Sequence, residues 1–143
     1  MRTIAPVLVL CGIALAGSAG TLTAQTPIPD ARKAAEAWLA LVDSSRFEES
    51  WKQSAPLLQQ MTRSPQGWES FLAQARSRFG TPGPRAFTSA EENPVIPGAP
   101  GGEYLRLLFT VKYDRGPVGE TVVMVPTNEG WKVAMYGLRP MQE

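Results

Sequence analysis

The chain has 143 residues, with 14 basic and 13 acidic side chains, no histidine and a single cysteine, Cys11. A formal charge of +1 leaves no excess with which to hold nucleic acid or an anionic membrane surface. The missing histidine removes Ser–His–Asp and Cys–His catalysis and, with the lone cysteine, the usual zinc ligands.

Residues 1–24 read as a secretory signal peptide. Arg2 is a short positive start, Ile4 to Ala16 is an apolar run, and small residues lead to Leu22-Thr23-Ala24. The run is shorter than the roughly 20 residues a membrane-spanning helix needs. No stop-transfer segment follows, so no transmembrane segment is expected after cleavage; an uncleaved N-terminal anchor is the alternative. Cys11 follows bulky Leu10, where a lipoprotein signal needs a small residue, and reads as apolar filler. Cleavage after Ala24 leaves residues 25–143 as one α+β domain with no thiol, of periplasmic or secreted address.

Gln25 to Pro29 is proline-rich and expected to be extended, with Asp30 capping the first helix. Ala34, Ala37, Trp38, Leu41 and Val42 recur at helical spacing. Asp43-Ser44-Ser45 breaks that pattern. A second helix starts near Phe47, with Trp51, Ser54, Ala55 and Leu58 on its face, and Pro56 splits the segment in two. Ser64-Pro65 is a helix start, followed by Trp68, Phe71, Leu72, Ala75 and Phe79 on one face. Gly80 and Thr81-Pro82-Gly83-Pro84 end it.

The period then changes from helix to strand. Arg85 to Glu92 is a first strand, and Asn93 to Gly102 a long irregular loop. Glu103 to Tyr113 alternates, with Leu105, Leu107, Phe109, Val111 and Tyr113 on the core side. Asp114 to Pro117 turns, Glu120 to Pro126 is a third strand, and Trp131 to Arg139 a fourth. The fold class expected is α+β, about three N-terminal helices packed on a four-stranded antiparallel sheet. Trp38, Trp51, Trp68, Phe71 and Phe79 are the expected helical partners of the sheet.

Several pieces together resemble an exported bacterial family catalogued as domain of unknown function 4019. They are Ala34 to Leu39, Glu49-Ser50-Trp51 with Ala55 and Leu58, Trp68 with Arg76 and Gly80, Pro97 to Tyr104, Glu120-Thr121-Val122, and Gly130 to Ala134. The last strand departs from the family pattern, reading Met135-Tyr136-Gly137 where the family is similar to Gly-Tyr and a bulky residue. The layout also resembles cone-shaped α+β domains similar to nuclear transport factor 2, and thus a cystatin-like arrangement. That class implies either an enzyme or a binding module, because its fold hosts both.

No glycine-rich phosphate loop is present, since Gly98 to Gly102 is broken by Pro100 and precedes a strand. No spacing matches a calcium loop. No catalytic, metal or cofactor-binding residue is assigned, and no cofactor is expected. Glu103 and Glu120 read as strand starts, Asp114 as a turn residue, and Glu36, Asp43 and Glu69 as members of polar helix faces. Arg76 is expected to pair with a carboxylate or approach a ligand. Partner-contact candidates are Tyr104, Arg106, Leu108 and Tyr136, with Leu138, on the sheet face away from the core. The partners considered are a second copy of the chain, as a homodimer, or another envelope protein. Two functions stay open: an exported non-catalytic binding or interaction module, and a small cone-shaped enzyme using a buried carboxylate with a tyrosine.

Overall fold

A computed structural model describes residues 27–142. The expected signal peptide at residues 1–24 lies outside the described residues. Four helices come first: α1 (Ile28–Asp43), α2 (Phe47–Gln53), α3 (Pro56–Thr62) and α4 (Pro65–Phe79). Four strands follow: β1 (Pro82–Glu92), β2 (Leu105–Tyr113), β3 (Gly116–Thr127) and β4 (Gly130–Pro140). They form one antiparallel sheet in the order β1-β2-β3-β4. The class is α+β, as the helical and then alternating periods predict.

Each helix start follows local chemistry. Pro29 sits in the first turn of α1, where its missing N–H has no partner to lose, so the helix begins before Asp30 rather than after it. Pro56 and Pro65 open α3 and α4 in the same way, and Pro56 divides the second helical segment in two as expected. The Ser64 hydroxyl accepts the Gly67 N–H at 3.0 Å and caps α4. Gly80 ends α4 at φ +90°, and a Cβ there would lie 2.8 Å from Asp114 Cβ, so this crossing needs glycine. Asp114 in turn accepts the Thr81 N–H at 2.8 Å.

The core lies between the helices and one face of the sheet. Leu105, Leu107, Phe109, Val111 and Tyr113 are buried, as their alternation requires. From α1 the buried residues are Ala31, Ala35, Trp38, Leu39 and Val42, a stripe rotated from the expected one so that Ala37 stays outside. Trp68 is the largest fully buried side chain, tilted at 5.5 Å from Trp38 and edge-on at 5.5 Å to Tyr136. Polar atoms in this layer are satisfied: Trp68 Nε1–H donates to Ser50 Oγ at 3.0 Å, and Trp38 Nε1–H to the Ser50 carbonyl at 2.8 Å. Phe71, expected in the core, is 39% exposed, because it stacks over the outside of Trp68 at 5.6 Å.

All four strands differ in their bounds from the sequence expectation, β1 beginning already at Pro82; the start of β3 and a bulge in β4 matter for the site. β3 starts at Gly116, not Glu120, since Gly116 and Pro117 already pair with Tyr113 and Lys112. Glu120 is therefore mid-strand. β4 contains a bulge at Ala134: Met124 faces Val133, whereas Val123 faces Met135. The extra residue moves Tyr136 and Leu138 onto the core face, correcting their expected place beside Tyr104 and Leu108.

Trp68→Ala is expected to cost about 3–5 kcal/mol, the range for truncating a buried large aromatic. Urea unfolding of wild type and variant measures it; an unchanged midpoint would show that the aromatic layer is not the core.

Candidate functional site

Two opposite charges sit in the inward series of the sheet. On β3 the alternation Val118, Glu120, Val122, Met124 points to the core, and Glu120 is 0% exposed. On β1, Arg85 faces Val111 and Phe87 faces Phe109, so Arg85 also points inward. Arg85 Nε–H donates to Glu120 Oε1 at 2.5 Å, and Nη2–H to Oε2 at 3.1 Å. This two-point geometry suits the planar guanidinium.

The pair has two more members. Tyr136 on β4 donates its hydroxyl to Glu120 Oε2 at 2.7 Å. Asp43, the last residue of α1, takes the other side of the guanidinium, accepting from Nη1 at 2.8 Å and Nη2 at 3.2 Å. Arg85 thus joins the end of a helix to the middle of the sheet. The side chain of Arg85 is only 15% exposed, so solvent screens these contacts weakly.

The electrostatics follow from this packing. Burial favours loss of the Arg85 proton, but the hydrogen bonds and charges of Asp43 and Glu120 outweigh it and hold the group above its ordinary value. Tyr136 is pushed well above the ordinary tyrosine value, first by burial and then by the negative charge of Glu120. Tyr113 is raised for the same two reasons. Tyr136 is therefore a neutral donor, held in that role by the carboxylate it serves. Both Glu120 oxygens are occupied, and among the described residues no buried side-chain polar atom lacks a partner.

The remaining sequence candidates lie elsewhere. Arg106 and Leu108 do share the outer sheet face, with Thr88, Thr110, Thr121 and Arg139, around an open hollow of about 550 Å³. Arg106 is held by Glu91 at 2.5 Å and reaches the Val95 carbonyl at 3.4 Å. Tyr104 lies just before β2, and its hydroxyl donates to the Pro100 carbonyl at 2.9 Å. Tyr136 is on the opposite face, in the ion cluster. Arg76 takes no carboxylate among the described residues: it donates to the Val42 carbonyl at 3.0 Å and Ser45 Oγ at 3.2 Å, with Phe47 5.3 Å beneath it. Asp43, expected on a polar helix face, and Glu120, expected at a strand start, are the two acids of the cluster. The signal for Glu120 was its alternation with Val118 and Val122, hidden by reading Gly116-Pro117 as a turn.

These features define an α+β protein whose sheet packs its inner face over a satisfied ion cluster. The chain belongs to the family described as protein of unknown function (DUF4019), whose model matches residues 34–136. Among curated proteins, none matches the chain. No helix of the described residues is long and apolar enough to cross a membrane.

Arg85→Met leaves the Glu120 carboxylate buried without its cation and is expected to cost about 3–5 kcal/mol. Arg85→Met with Glu120→Gln removes both charges while keeping an acceptor for Tyr136, and is expected to recover more than half of that loss in urea unfolding.

The raised value of Tyr136 sets an alkaline limit. In the unfolded chain tyrosine titrates near about 10, so above that pH only the unfolded state releases the proton. The stability Tyr136 contributes is complete below about pH 10 and is lost as pH rises through the higher folded value. Between about pH 8 and about pH 11, wild type is expected to lose more unfolding free energy than Tyr136→Phe. Equal losses would show that Tyr136 titrates normally.

Proposed function

We propose that this chain is an exported, non-catalytic binding module of the bacterial envelope, with its contacts on the outside of the sheet. The observation that carries this is the state of the buried carboxylate. Glu120 is shut away from solvent, and both of its oxygens are consumed by Arg85 and Tyr136. A cone-shaped enzyme would use such a carboxylate beside a tyrosine with space between them for a substrate. Here the two groups hold each other. The cone-shaped arrangement similar to nuclear transport factor 2 is part of the same proposal, with the inner face filled by Trp38, Trp68 and the ion cluster. Export to the periplasm or medium rests on Arg2, the apolar run and Leu22-Thr23-Ala24.

The partner that fits the outer face is a second copy of the chain. Glu91 and Arg139 both line the outer hollow, and they belong to the opposite edge strands β1 and β4. A two-fold axis through Leu108 sets each Arg139 toward the partner's Glu91 and joins the apolar middle of the two hollows. The cross-chain contacts have opposite sign, which favours this pairing over a like-charged one.

Protein purified from secreting cells tests both parts. Its intact mass is expected to start at Gln25 or within a few residues of it; a full-length cytoplasmic product would overturn export. In sedimentation at tens of micromolar (about the range of a weak dimer), wild type and Tyr136→Phe are expected to self-associate and Leu108→Glu to be monomeric. A monomeric wild type overturns the self-pairing.

A further inference from the structure

The groove between α4 and the free edge of β4 lies away from the outer sheet face and meets the ion cluster only through the ring of Tyr136. β4 is an edge strand. Beyond its ladder with β3, the one backbone–backbone hydrogen bond that β4 makes among the described residues is from Ala55 N–H to the Val133 carbonyl, at 2.8 Å. That contact covers the start of the strand. From Met135 to Arg139 the outward N–H and C=O groups take no backbone partner, the condition in which an edge accepts another strand.

The flank of this open edge is apolar and shaped. Two adjoining hollows, of about 170 Å³ and about 430 Å³, run beside it and share Phe71 and Tyr136 as their divider. The first is lined by Met61, Trp68 and Met135, the second by Ala75, Phe79 and Leu138. Met61 is 58% exposed, so the rim of the first hollow is apolar and solvent-facing. The spacing is that of a strand. Phe71, Ala75 and Phe79 stand four residues apart on the helix, about 6 Å each. Alternate residues of an extended chain repeat at about 6.6 Å. Side chains i and i+2 of a strand laid along β4 therefore meet successive hollows.

The charge is one-sided. Arg78 lines the larger hollow, stacks 5.3 Å over the Phe79 ring and makes no ion pair among the described residues. No acidic side chain lines either hollow. We infer that this groove binds an extended peptide segment of another protein by adding it as a fifth strand to β4. Aliphatic side chains at alternate positions fill the two hollows, and an acidic side chain at the end beside the larger one pairs with Arg78. Backbone bonds to the edge supply affinity, and the hollows with Arg78 supply the choice of sequence. The inference rests on the reading of the chain as a binding module but not on its self-pairing, which uses the other face.

The probe is an acetylated and amidated hexapeptide of alternating threonine and valine with aspartate last, titrated into the mature chain and followed by amide NMR. Saturable shifts confined to Met135–Arg139 and α4 are expected, with a Kd of order 100 micromolar for so small a contact. The same peptide N-methylated at alternate positions keeps its side chains but loses its ladder donors, and is expected not to bind. Arg78→Glu, an exposed change that leaves the fold alone, is expected to weaken binding about tenfold. Equal binding of the N-methylated peptide overturns strand addition. An unchanged Kd in Arg78→Glu overturns the acidic preference, and no shift at millimolar peptide overturns the site. Shifts of the β4 amides that grow with protein concentration alone, in the Leu108→Glu background where the outer face is blocked, assign the edge to a second copy and overturn the peptide reading.

Discussion

The arrangement depends on a buried arginine held between two acids. Arg85 reaches from the end of α1, through Asp43, to the centre of the sheet, at Glu120. Such a pair is costly to bury and strongly destabilising to break, because either partner left alone is an uncompensated charge in a poorly polarisable interior. It therefore acts as a register device. β1 and β3 are not neighbours in the sheet, yet the bidentate contact fixes how far each extends past β2. A slip of either strand by one residue would turn its charge to the outer face and bury a different side chain.

Around this cluster the remaining interior is filled by aromatic rings. Trp38, Trp68 and Tyr136 meet within 5.5–5.6 Å of each other at tilted and edge-on angles. These are the geometries favoured by the ring quadrupoles. Tyr136 belongs to both systems, with its ring in the aromatic layer and its hydroxyl on Glu120. The bulge at Ala134 makes this possible, since without it the ring would face outward.

The inner face is filled by rings and ion pairs, and two different surfaces stay open beside it. The outer hollow carries mixed charge, with Arg106 and Glu91 already paired and Arg139 free of an ion pair among the described residues. The α4–β4 groove carries apolar walls, an open backbone edge and one cation. The two surfaces present different chemistry because they are built differently. One is the solvent side of four strands, the other the seam where a helix fails to cover a sheet edge.

The sequence by itself determined the class of the fold, the starts of α3 and α4 and the core face of β2. Those features are local: a proline at a first turn, a serine cap, and alternation along a strand are set by neighbours in the chain. It also determined which chemistries are absent, since composition alone removes histidine. Only the tertiary structure decided which acids are buried. Glu120 became a core residue because Gly116 and Pro117 pair with β2 instead of turning, and Asp43 became its ally because α1 ends opposite Arg85. Tyr136 changed faces through a bulge in the pairing of β4 with β3. Charge pairs and bulges join segments far apart in sequence, so their geometry exists only once the sheet is assembled.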